Sequence, residues 1–153
     1  MRAVTALLAA AALCLAAACQ HSEERYLKRD VAAPELIGTW QMTDGTVQDL
    51  RDAGYTAPVD PKQHTIDLRA DGTCRFRTLL EVPSSPSAAD PLRDAACHWH
   101  LGKVGHQALQ LELDPPAAGS PYYYFGTGAG GTLVLWQYAG DPDAWRYVEY
   151  SKR

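Results

Sequence analysis

No catalytic signature stands out in these 153 residues. No serine sits in a nucleophile elbow: Ser22 lies in a polar stretch near the N-terminus, and Ser84, Ser85 and Ser87 lie among prolines. The 14 Lys and Arg are scattered along the chain against 18 Asp and Glu. That leaves no case in the sequence for binding nucleic acid, nor for a basic patch on anionic lipid headgroups. No repeat recurs at a 20 to 50 residue period, which excludes solenoids and propellers. Only one long apolar run occurs, Ala3 to Ala18, and its 16 residues fall short of the roughly 20 that cross a bilayer. Cysteine is sparse as well, four in all.

What is there begins with that run. Met1 to Cys19 reads MRAVTALLAAAALCLAAAC, with Arg2 ahead of an Ala- and Leu-rich stretch that ends in Ala16-Ala17-Ala18. A charged start, an apolar middle and an Ala-x-Ala end describe a secretory signal peptide over residues 1–18. Cys19 at the cleavage point resembles the lipobox cysteine of bacterial lipoproteins. The resemblance implies a thioether-linked diacylglycerol and an acyl chain such as palmitate on Cys19, anchoring the mature chain to a membrane. Gln20 after the cysteine implies sorting to the outer membrane, facing the periplasm. Lipidation also leaves Cys74 and Cys97 as an even pair, which suits an oxidising compartment. Several acyl chains hold firmly where one binds only marginally.

The expected mature chain keeps 13 of the 14 basic residues and all 18 acidic ones, a formal charge of −5. It is long enough for one domain with a core. Residues 19–34 read as the lipidated cysteine and a flexible tether, and 35–153 as the domain. Leu36, Gly38, Trp40 and Met42 alternate as in a half-buried strand. Residues 47–53 offer a short helical insertion, with Gly54 as its stop. From His64 the chain reads as a meander. Ile66 and Leu68 share a face, and Asp71-Gly72 marks a tight turn. Cys74, Phe76, Thr78, Leu80 and Val82 share the next face, in a strand from Thr73 to Val82. Cys97, Trp99 and Leu101 follow, in a strand from Ala96 to Leu101, then Leu109, Leu111 and Leu113 in one from Ala108 to Leu113. Tyr122 to Gly126, Thr132 to Tyr138 and Trp145 to Tyr150 complete eight strands. Eight antiparallel strands in sequence close most simply into an all-β up-and-down barrel, which removes exposed sheet edges.

Cys74 and Cys97 both fall on the apolar phase of neighbouring strands, so a cross-strand disulfide is expected, two buried free thiols being the alternative. A bridge closing a loop of that length adds about 3 kcal/mol in the chain-entropy account.

Gly38-Thr39-Trp40 at the start of the first strand resembles the Gly-x-Trp motif of the lipocalins and their calycin relatives. The resemblance implies a barrel plugged at one end by Trp40, beneath an Arg of the last strand, for which Arg146 and Arg153 are the candidates. It also implies an interior able to hold a small apolar or amphipathic molecule, lined by Trp40, Phe76, Trp99 and Leu111.

Other candidate sites weigh less. Gly126 to Gly131 matches a Gly-x-Gly-x-x-Gly string, but a strand follows where a nucleotide site needs a helix. His98 and His100 share a strand face, and zinc would need a third ligand from His64 or His106. Asp141-Pro142-Asp143 reads as a turn. The aromatic strands leave Tyr123, Phe125, Trp136 and Tyr138 as an expected outer patch for a partner. The sequence thus describes an envelope lipoprotein with a lipocalin-like barrel, no cofactor, no metal and no enzymatic activity. It either carries a small apolar ligand or serves as a protein-interaction module, an inhibitor or assembly factor working through its aromatic face.

Overall fold

A computed structural model describes residues 24–78, 80, 94–114 and 121–153. The expected signal peptide, Cys19, Val82 and the proline-rich loop lie outside the described residues. Eight strands form one closed antiparallel barrel in sequence order: β1 (Gly38–Met42), β2 (Thr65–Leu68), β3 (Thr73–Arg77), β4 (Ala95–Val104), β5 (His106–Asp114), β6 (Tyr122–Thr127), β7 (Leu133–Tyr138) and β8 (Tyr147–Lys152). Closure comes from β8 pairing with β1, Trp40 opposite Lys152 and Met42 opposite Tyr150. Among the described residues every strand is paired on both sides, so closure leaves no edge strand.

Alternation decides which side chains face in. Ile66, Leu68, Cys74, Phe76, Cys97, Trp99, Leu109, Leu111 and Leu113 all point into one contiguous buried cluster. The β2–β3 turn shows how local chemistry sets register. Gly72 takes φ +81°, which a side chain rarely adopts. The Asp71 carboxylate accepts from the Thr73 backbone N–H at 2.9 Å and from its hydroxyl at 2.7 Å. Those Thr73 bonds hold the Asp71 carboxyl below its ordinary range. Across the next seam Cys74 stands directly opposite Cys97, and the two form a disulfide with Cα atoms 4.8 Å apart.

Short helices flank the first strand. A single turn, α1 (Ala33–Leu36), sets fully buried Leu36 under the barrel, where its carbonyl accepts from the Trp40 indole N–H at 2.8 Å. The helix α2 (Asp44–Asp52) fills the interval after β1 and stops near Gly54, at φ +91°. The buried Thr46 hydroxyl accepts from Glu149 N–H at 2.8 Å and donates to Glu149 C=O at 3.2 Å, fixing α2 to β8.

Several expected boundaries move. β3 ends at Arg77, because Thr78 turns the chain at φ +57°, although Leu80 still reaches the core. β4 and β5 extend to a shared tight turn at Gly105, φ +72°. Trp145 precedes the last strand in a left-handed conformation, so β8 begins at Tyr147. The cation beside Trp40 is Lys152, its ammonium 5.9 Å from the ring, rather than Arg146 or Arg153. Arg146 lies before β8, and Arg153 falls on the outward phase, one residue past Lys152.

Part of the stretch expected as a tether is packed on the barrel. Paired with β5 only through Ala108–Gln110, β6 leaves its far end without that neighbour. Tyr26 bridges Gly126 there, and Leu27 N–H bonds Phe125 C=O at 2.9 Å. Farther along, Val31 is buried, and its backbone N–H and C=O both bond the Gln107 amide, at 2.7 and 3.0 Å. Residues 25–31 thus form a strap over the opened β5–β6 seam.

Candidate functional site

The barrel interior was one expected site. Trp40 and Leu111 are fully buried, Phe76 is 1 % exposed and Trp99 8 %. They lie in the same cluster as Met42, Leu109, Phe125, Leu135, Val148 and Tyr150, so the wall residues touch one another across the barrel. Trp99 is held by its indole N–H, which donates to Arg69 C=O at 2.9 Å. Surface grooves of about 430, 460 and 650 Å³ exist, and none of these three is lined by Trp40, Phe76, Trp99 or Leu111. The interior is a packed core, as eight-stranded barrels of this width permit.

The expected aromatic face requires a correction. Tyr123 and Phe125 point inward: Tyr123 is fully buried, opposite Leu109 and edge-on to Tyr150 at 5.5 Å, and Phe125 lies opposite Leu135. Burial raises the Tyr123 and Tyr150 hydroxyls above the ordinary phenol range. The outward residues of β6 are Tyr122 and Tyr124. With both phases aromatic, hydropathy could not choose between them; the inward Leu109 and Leu135 opposite make the choice.

Trp136 and Tyr138 do face outward, but Trp136 is fully buried beneath the strap. Tyr26 stacks on His106 at 3.6 Å and meets Tyr124 and Trp136 at 4.9 and 5.0 Å. The Arg25 guanidinium lies over the Tyr147 ring at 3.9 Å and the Trp136 ring at 5.2 Å, and pairs with Glu149. Two cation–π contacts and a partly desolvated ion pair hold the strap down. Burial raises the Tyr26 hydroxyl, with Tyr138 adding to the effect, and lifts Tyr124 to about 12. Gly126 makes the contact feasible, since a Cβ there would stand 2.9 Å from Arg25 C=O and from the Trp136 ring. Only Tyr122 and Trp145, at 38 and 39 % exposure, remain as exposed large apolar side chains among the described residues.

The histidines do not converge. His98 and His100 are exposed on β4, and His100 Nε2 bonds Gln110 Oε1 at 2.8 Å. His64 is buried with Nδ1 2.6 Å from Thr78 C=O, and burial lowers its pKa. His106 lies under Tyr26. Among the described residues no three His, Cys, Asp or Glu side chains gather as metal ligands. Gly126 to Gly131 leads into β7 rather than a helix. The Asp141 carboxylate caps its own turn, accepting from Asp143 N–H at 3.0 Å.

The residues missed in the sequence are basic. Lys62, Arg75, Arg77 and Arg153 line one groove of about 460 Å³ across the outer face of β1, β2 and β3, with Thr39, Thr65, Asp67 and Asp94. They are far apart in sequence, and the strand register alone brings them together.

These features define a class: an up-and-down β-barrel of lipocalin-like architecture with a packed interior, strapped by its own N-terminal segment. No protein-family model matches the chain, and searches of curated proteins and of solved structures find nothing similar to it.

Proposed function

We propose that this is a non-catalytic protein-interaction module of the bacterial cell envelope, tethered by lipid on Cys19 and working through the outside of its barrel. The observation that carries the reading is the packed interior, in which Trp40, Phe76, Trp99 and Leu111 occupy the space a carried molecule would need. The lipobox-like cysteine after an Ala-x-Ala end supports the anchor, and a disulfide suits an oxidising compartment. Strap residues dock from Arg25 onward, six positions beyond Cys19. The link to the membrane therefore spans about 20 Å at full extension.

Native mass spectrometry of the chain exported to an oxidising periplasm, with an apolar fluorescent probe titrated in parallel, tests this. The expected result is an apo mass carrying acyl chains on Cys19 and no saturable probe uptake. A co-purified apolar small molecule, or saturable uptake, would restore the carrier reading and overturn this one.

A further inference from the structure

The geometry points to the groove on the β1–β3 face as the site that captures an acidic protein segment, one presenting several spaced carboxylates. This inference rests on the interaction-module reading above and gives the partner its chemistry.

Register builds the groove. Thr39 pairs with Asp67 and Asp67 with Arg75, while Arg153 N–H bonds Thr39 C=O at 2.9 Å. Arg153, Thr39, Asp67 and Arg75 therefore form one row across four strands, about 14 Å long at the usual strand spacing. Arg77, opposite Thr65, stands one row over, and Lys62 joins from the turn before β2. Four cations meet two carboxylates, so the groove is positive on a chain of formal charge −4.

Pairing within the chain leaves most of this charge unused. Arg75 meets Asp94 at 3.5 Å with both side chains more than half exposed, a contact worth little. The Asp67 carboxylate accepts from the Thr39 hydroxyl at 2.5 Å. Among the described residues, Lys62, Arg77 and Arg153 make no side-chain ion pair. All three are exposed, and the groove they line runs over the paired strands β1, β2 and β3.

The arrangement also selects the ligand. A single small anion asks for cations converging on one point, whereas these stand at the ends and flank of a row with Asp67 inside it. A central anion would face the Asp67 charge. An extended acidic segment avoids it, because alternate side chains on a strand lie about 7 Å apart and can reach Arg75, Arg77 and Arg153 separately. Planar guanidinium groups match carboxylates two bonds at a time.

The test titrates the purified full chain, lipidated and in detergent micelles, with a synthetic peptide of alternating Glu and Ser. Inorganic phosphate serves as the competing small anion. We expect saturable peptide binding that weakens with salt. It should fall roughly fivefold for Arg77→Gln or Arg153→Gln and roughly 25-fold in the double variant, at about one exposed charge pair each. Asp67→Asn should tighten it. Arg29→Gln, whose side chain is paired with Glu35 outside the groove, should change nothing. The inference is overturned by no binding at low salt, by binding indifferent to the double variant, or by phosphate displacing the peptide at equal concentration. It is also overturned if a Cys19→Ser chain ignores the peptide yet floats with phosphatidylglycerol vesicles through Arg77 and Arg153, since the partner would then be a membrane surface. Failure here beside a silent apolar probe removes this groove and leaves the interaction-module reading standing.

Discussion

Two outer faces of the same barrel are treated in opposite ways. Over β6 to β8 the outward Tyr124, Trp136, Tyr138 and Tyr147 gather with Tyr26 of the N-terminal strap, and Trp136 is left with no exposed surface. The charges there are spoken for: Arg25 lies on two rings and pairs with Glu149. Over β1 to β3 the outward row is polar, and among the described residues no strap crosses it and Arg75, Arg77 and Arg153 are exposed. A staple stands where the strap does not, for the Cys74–Cys97 disulfide ties the β3–β4 seam from inside. The difference separates structural surface from working surface. Aromatic side chains suggest a partner site until the chain's own segment is found on them, whereas Arg77 and Arg153, without an ion pair among the described residues, show no structural task.

The covered face should yield the largest effect. Trp136→Ala removes a fully buried indole together with the platform under Arg25 and Tyr26. Truncations of this kind cost about 3 to 5 kcal/mol, read as a lower urea midpoint. Among the described residues the buried indole N–H has no partner, which moderates the loss slightly, since the substitution also removes that unmet donor. A loss below about 1 kcal/mol would mean that the strap is not packed, and the comparison between faces would collapse. Next comes the staple. Reducing Cys74–Cys97 with dithiothreitol should lower stability by about 3 kcal/mol through the freedom returned to the unfolded chain. Reduction is the cleaner test, because Ala at both positions would add a cavity to the loss.

Much of the barrel was legible because its inward phase is apolar while its outward phase is charged. Ile66 and Leu68 against Asp67 and Arg69, or Leu109 and Leu111 against Gln110 and Glu112, leave one orientation for each strand. The same rule placed Cys74 and Cys97 on one side of neighbouring strands. It could not orient Tyr122 to Phe125, where both phases are aromatic. Nor could it find the strap, since Arg25 and Tyr26 stand in a charged, aperiodic stretch whose burial depends on a seam opened by the β5–β6 register. The cationic groove was hidden for a related reason. Arg75, Arg77 and Arg153 are neighbours only once β8 closes onto β1, so a count of clustered Lys and Arg along the chain misses them.

The sharpest form of the comparison exchanges the same residue type on each face. Arg25→Gln removes a guanidinium with about a quarter of its side chain exposed, breaking the Glu149 pair and both ring contacts. It should cost about 1 to 2 kcal/mol and expose the bond after Arg25 to proteolysis. Arg77→Gln breaks no ion pair among the described residues, so stability should stay within about 0.5 kcal/mol and the proteolysis pattern should not change. If Arg77→Gln destabilised the barrel as much as Arg25→Gln, the β1–β3 cations would be supporting the sheet. If neither did, the strap would be decoration and the aromatic face would again be open to a partner. Only the unequal pair leaves the fold resting on one face and recognition on the other.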